Sequence, residues 1–206
     1  MSLIVVTPQL LVVNSSVPIH TVKELIAAAK AQPGTLNYSS SGSGSANHLS
    51  MELLKSMTGI DIVHVPYKGS GPAVTDLVAG RVQMMMNPMP PFLPHIKAAR
   101  LRAIAVAEPQ RSSLMPEIPT FAESGVPGYQ YVLWYGMFTQ AKTSRTIIAK
   151  MNAEVRKILA EPDMAGRLAS QGAVPRASTP EEFARFIDED RARLQKIIRT
   201  AGVKAQ

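Results

Sequence analysis

The sequence predicts an α/β protein, and three observations carry that expectation. Strand-like and helix-like segments alternate over roughly the first hundred residues. Two capping boxes, Thr21-Val-Lys-Glu24 and Thr179-Pro-Glu-Glu182, open amphipathic runs. Polar loops rich in glycine follow several strand-like segments, which is where open α/β sheets place their ligands.

Taken in order, Leu10 to Val13 is a short apolar strand, and the first capping box opens a helix over Val22–Ala31 that Pro33-Gly34 closes. Leu36 to Tyr38 reads as a strand entering the loop Ser39-Ser-Ser-Gly-Ser-Gly-Ser45, followed by a helix to about Met57 with Leu49, Leu53 and Met57 on its apolar side. Ile60 to Val65 alternates β-branched residues and reads as a strand. Pro72–Ala79 reads as a helix, Arg81–Met86 as a strand ending at Asn87-Pro88, Phe92–Ala99 as a short helix and Leu101–Ala107 as a strand. Together these predict a five-stranded, mostly parallel sheet with helices on both faces.

Beyond Ala107 the texture changes. Residues 108–128 hold four prolines and read as a connection, and Tyr129–Phe138 is an aromatic strand with the sole tryptophan, Trp134. Helices follow over Ser144–Leu159 and Asp163–Ser170. The second capping box opens a long helix with Phe183, Phe186, Ile187, Leu194, Ile197 and Ile198 inward. This last third reads as helical, with little sheet of its own.

Composition excludes several function classes. With 206 residues, 46% of them hydrophobic, the chain can bury an ample core. It has no cysteine, and its four histidines are scattered without a His-Glu-x-x-His pairing, which argues against a metal site. No cofactor motif, Gly-x-Ser-x-Gly elbow or isolated carboxylate pair supports an enzyme. The net charge of +7 comes mostly from residues 140–206, where 13 basic and 8 acidic side chains interleave along helices. Such faces are solvated, and with aromatic residues at 5% the chain lacks stacking platforms for nucleic acid. The run Met84-Met-Met86 with Met89 reads as a core strand of adaptable thioethers.

The Ser/Gly loop carries the most chemistry. Gly42 and Gly44 permit close approach to the backbone, and the N–H groups near Ser45, Ala46 and Asn47 would face whatever the loop holds. An anion is the natural guest; an N-capped helix after a flexible turn is the plainer alternative. The loop lacks the Lys of a Walker loop, and Asn47 stands where a dinucleotide fingerprint needs a small residue, so a small anion suits it and a nucleotide does not. Tyr67-Lys68-Gly69 and Asn87 fall at neighbouring strand ends, with Lys68 either a positive charge for the site or a surface lysine.

Leu36-Asn-Tyr-Ser-Ser-Ser-Gly-Ser-Gly-Ser, His64-Val-Pro-Tyr-Lys-Gly-Ser-Gly-Pro-Ala, Leu101-Arg-Ala-Ile-Ala-Val and Ile118-Pro-Thr-Phe-Ala-Glu-Ser-Gly, in this order, resemble the Bug family. These are TctC-type solute-binding receptors of tripartite tricarboxylate transporters. Trp134-Tyr-Gly136 and Thr179-Pro-Glu-Glu-Phe183 fit the same pattern, so the resemblance covers essentially the whole chain. It implies a type II periplasmic-binding-protein fold with one complete α/β lobe (15–107) and an incomplete second lobe (1–14 and 108–206). It also implies a carboxylated solute held between the lobes, a periplasmic location, membrane transporter subunits as partners and no catalysis or cofactor. Residue by residue, Ser41, Gly44 and Ser45 would hold a carboxylate, with Tyr67, Lys68 and Gly69 lining the same site. Asn87 stands where the family often has an acidic residue, a departure that weakens any preference for amino acids.

Family members carry about a hundred further residues before the point matching Ile4, including the signal peptide, and the opening Met-Ser-Leu-Ile-Val-Val shows neither the basic n-region nor the cleavage site of one. The resemblance therefore implies that part of the carboxylate site is missing, that dicarboxylates bind weakly, and that the chain self-associates through uncovered apolar helix faces. The other function class left open is a non-transport ligand-sensing or oligomerising module.

Overall fold

Five strands are hydrogen-bonded side by side in the order β4-β3-β5-β2-β6: β2 (Gln9–Asn14), β3 (Asn37–Ser40), β4 (Val63–Pro66), β5 (Met84–Pro88) and β6 (Leu101–Val106). The computed structural model describes residues 1–112 and 114–202. Helices α1 (Val22–Ala31), α2 (Ala46–Thr58), α3 (Ser70–Val78) and α4 (Leu93–Lys97) fill the connections between these strands. β3 runs parallel to β4 and β5, as crossover helices require, but β2 is antiparallel to both of its neighbours. Four strands thus run one way and β2 opposes them. Its direction was invisible because an apolar run looks the same read either way.

Every residue of β2 is buried, with Leu10 and Val12 on one face and Leu11 and Val13 on the other. Leu10 and Val12 join Met85, Met89 and Phe92 against Ala73, Val74 and Leu77 of α3. Met84, Met85 and Met86 are all fully buried, so the methionine run is core.

Pairing sets the strand limits more tightly than local pattern does. β4 begins at Val63 because its partner begins at Asn37, leaving buried Ile60 and Ile62 in the preceding connection. β5 is shifted forward, so that Asn87, expected beyond the strand, lies inside it opposite Leu10. Both capping boxes form: Thr21 accepts from Glu24 N–H while Glu24 accepts from His20 N–H, and Thr179 and Glu182 exchange side-chain-to-backbone bonds. A third such exchange, Thr120 with Glu123, secures the turn after β6.

The remaining strands form a separate antiparallel sheet, β7-β1-β8, from β1 (Ser2–Thr7), β7 (Leu133–Met137) and β8 (Val174–Pro175). Beyond β7 the last third contributes only the two-residue β8, so it has little sheet of its own, and what the sequence did not show is β1, which completes this sheet from the other end of the chain. β1 pairs with residues some 130 positions away, and β8 is too short to leave a pattern. With α5 (Arg145–Leu159), α6 (Pro162–Ser170) and most of α7 (Pro180–Ala201), this sheet makes one compact unit, Met1–Thr7 with Val132–Leu194; Pro8–Tyr131 with Gln195–Gln206 makes the other. The latter is wider than 15–107 because β2 is an interior strand of its sheet and Tyr131 N–H donates to the Ala107 carbonyl.

Phe183 of α7 is buried with Leu3 and Val6, with Trp134 and Phe186 packed against them. The Trp134 indole donates to Asp190. Ile198, expected inward, is exposed, since it lies about 100° round the helix from buried Ile197. No described helix is long and apolar enough to cross a membrane.

Candidate functional site

The polar loops converge at the ends of β3, β4 and β5. Ser45 is the N-cap of α2, accepting from His48 N–H, while its hydroxyl donates to the Gly42 carbonyl at 2.6 Å. Gly42 (φ 136) and Gly44 (φ 76) take conformations that favour glycine, and a Cβ on Gly42 would sit 3.4 Å from the Tyr67 carbonyl oxygen. The loop is joined to the β4 end by Tyr67 N–H to Ser40 O and Gly69 N–H to Ser41 O.

Asn47 ties in the third strand. Its side-chain amide donates to the Met86 carbonyl (2.7 Å) and to Asn87 Oδ1 (2.6 Å), while its own oxygen accepts from the Ser41 hydroxyl (2.6 Å). Ser41, Gly44, Ser45, Gly69 and Asn87 thus belong to one hydrogen-bonded group, which Tyr67 joins through its backbone. In the first turn of α2, the N–H groups of Ala46 and Asn47 have no partner among the described residues. Such donors, at the positive end of the helix dipole, favour a negative guest.

The Tyr67 side chain is engaged outside the loop. The Tyr67 hydroxyl donates to Asp76, which Arg81 also binds at 2.6 Å. Those two bonds, Tyr67 first, hold the Asp76 carboxyl below the ordinary range, while burial and Asp76 push the Tyr67 hydroxyl up. Lys68 is exposed and makes no ion pair among the described residues.

Beneath the loop lies a group that the sequence did not reveal. Tyr38, His64 and His48 stack in a row, with the two imidazoles 3.9 Å apart and 10° from parallel. Tyr38 donates to Glu52 at 2.6 Å, and Lys55 reaches the same carboxylate oxygen at 2.8 Å. His48 Nδ1 accepts from Gly44 N–H (3.0 Å), and His64 Nε2 lies 2.6 Å from the Ser40 hydroxyl. Ser40 is fully buried, so this Ser–His pair anchors the loop and presents no nucleophile. Asn47, His48 and His64 are visible in the sequence only as neighbours of the glycines; their convergence depends on the β3–β4 register.

The stack makes stability pH-dependent. Burial first, and then His48, push His64 down to about 4, and burial lowers His48 despite Glu52. An unfolded chain takes up protons near the ordinary value of 6.5, while the folded chain refuses them until lower pH. The stabilisation is therefore full above about 6.5 and falls as pH drops toward 4. The urea midpoint should decrease between pH 7.5 and 5.0, and His64→Gln should flatten that slope; an equal slope in the variant would count against the assignment.

A cavity of about 340 Å³ beside β6, lined by Ile96, Leu101, Arg102, Met115 and Ile118 among others, contains none of these groups. Among the described residues no cluster of His, Asp or Glu is placed to hold a metal.

Residues 1–203 match the family model described as the tripartite tricarboxylate transporter family receptor, TctC. Protein BugT of Bordetella pertussis is 36% identical over 197 residues, 96% of this chain and 60% of its own length. The chain thus spans about three fifths of that relative. Among solved structures, R. palustris Rpa4515 with adipate superposes with a TM-score of 0.89 at 36% identity, covering 98% of this chain and 67% of that one. MatC (Rpa3494) from Rhodopseudomonas palustris with bound malate gives 0.81 at 30% identity, covering 96% and 68%. The fold is that of these receptors, with one α/β lobe complete and the second present in part.

Proposed function

The chain belongs to the TctC family of tripartite tricarboxylate transporter receptors, and on that premise we propose that it binds a small di- or tricarboxylate at the Ser/Gly loop and delivers it to membrane subunits of such a transporter from the periplasm. The observation that carries this reading is the pair of unpartnered N–H groups, Ala46 and Asn47, at the N-terminus of α2, framed by the Gly42–Gly44 backbone. Two oxygens of a carboxylate match two such donors. Ser41, Gly44 and Ser45 border the anion, Tyr67 and Gly69 close the loop from the β4 side, and Lys68 supplies an exposed positive charge. Asn87 sits where an acidic group would otherwise repel a second carboxylate. The adipate and malate of the two solved relatives support this ligand class.

Titration calorimetry with succinate, malate, adipate, glutamate and citrate tests the reading. Ser45→Glu places a carboxylate among the loop donors and should abolish the binding seen in the parent, at a cap-loss cost of about 1 kcal/mol in stability. Unchanged affinity in that variant would remove the loop from the site.

A second reading, an oligomerising module, is favoured by one feature of α5. Ile147, Met151 and Ile158 are exposed at spacings of four and seven, forming an apolar stripe along one helix face. Self-association would cover it, and Met151→Lys should shift light scattering toward monomer. A parent chain monomeric at high concentration would end this reading.

A further inference from the structure

We propose that His48 and His64 are positioning residues which, as neutral imidazoles, hold the Ser/Gly loop in its anion-accepting shape, so that acid loosens the loop. The functional consequence, carboxylate release at low pH, rests on the reading given above; the loop's dependence on the imidazoles does not.

The donor and acceptor assignments fix the protonation state of His48. Gly44 N–H donates to His48 Nδ1 at 3.0 Å, so that nitrogen must present a lone pair, and the ring proton sits on Nε2, 3.9 Å from Glu52 Oε1. A second proton could enter only at Nδ1, which would set two N–H donors head to head and release Gly44. The other half of the loop hangs on His64: its Nε2 is 2.6 Å from Ser40 Oγ, and the same oxygen accepts from Gly42 N–H at 3.1 Å. Both glycine amides of the loop are therefore anchored, directly or through one hydroxyl, on the imidazole pair.

The surroundings favour the neutral form. Facing the pair are Tyr38 from β3 and Glu52 and Lys55 from α2, besides each imidazole for the other. Glu52 is the one anion among them, and it already accepts from Tyr38 and Lys55. Two imidazolium rings stacked at 3.9 Å would repel each other in a largely buried site. Burial lowers both groups, as stated above, which agrees with this arrangement. An imidazolium at His48 would also attract an anion nearby, but it cannot form without breaking the Gly44 bond that shapes the loop.

Amide hydrogen exchange by NMR on the ligand-free protein tests the proposal. Protection factors are taken relative to the unfolded rate at each pH. Gly44 in the parent should be protected at pH 7.5 and lose roughly tenfold as the His48 ring resonances titrate on acidification, the factor that one lost hydrogen bond produces. His48→Asn keeps an acceptor near the Nδ1 position without a titrating ring, and should stay protected across the same pH range. His48→Phe keeps the ring and removes the acceptor, and should lack the protection throughout. Wild-type protection in the Phe variant, an Asn variant no better than the Phe variant, or a flat parent profile while the His48 ring resonances titrate would each overturn the proposal. Succinate titrated into the His48→Asn variant separates the two readings: an ordered loop that binds no succinate at any pH counts against succinate as its ligand and leaves this inference standing.

Discussion

Replacing Gly136 with valine will unfold the three-stranded sheet. A Cβ at this position would lie 2.1 Å from Phe183 Cζ and within 3.0 Å of both adjacent ring carbons. Relief would require Phe183 to swing, yet that ring is 1% exposed, edge-on to Trp134 at 5.6 Å and packed on Phe138 at 5.1 Å. Overpacking a tight core costs about 1–3 kcal/mol, occasionally more, and alanine should already reach the top of that range. Trp134, the sole tryptophan, sits in the same cluster, so its fluorescence during urea unfolding reads this unit directly. Phe183→Leu should rescue part of the loss in Gly136→Ala, giving a non-additive cycle. A valine variant with the parent midpoint would mean that the β7 backbone does not lie against Phe183.

Asn47→Leu is the second large effect. The substitution keeps the volume but leaves the Met86 carbonyl, Asn87 Oδ1 and the Ser41 hydroxyl without their partner. Asn47 is buried, so the loss should reach about 3 kcal/mol, since an unsatisfied buried polar group costs about 1–3. The loop would also come away from β5, and carboxylate binding should vanish with it. Asn47→Asp is harsher still, because it sets a carboxylate against two oxygens. Thermal melting and calorimetry on the same samples check both parts; a leucine variant that melts with the parent and binds ligand would show that the tie is dispensable.

What could be read from the sequence follows from the range of the interactions. Capping is local, so Thr21, Ser45 and Thr179 marked helix starts that the structure keeps. The five-stranded unit was legible because its helices alternate with its strands, and the Ser/Gly loop because positive φ leaves glycine as its trace. β1 was not legible, since its partner β7 lies far along the chain, and β2's direction was not, since burial on both faces erases alternation. The candidate site was half visible. Asn47, His48 and His64 have no motif of their own, and only the parallel register of Tyr38 with His64 stacks them under the loop. Lys68 was legible only as a cation next to a glycine turn, which looks alike whether it faces a ligand or water.

The placement of β2 also governs how the chain is made. Its Leu-Leu-Val-Val core leaves the ribosome about seventy residues before Met84, its first partner in β5, and later still before β6. Until then a short, uncharged, β-prone segment has no ladder to join, which is the signature of a stretch that clumps when crowded. Pairing over such a separation is also slow to form. Yield in a cell should therefore depend on trigger-type holdases and on growth temperature more than the stability of the finished sheet would suggest.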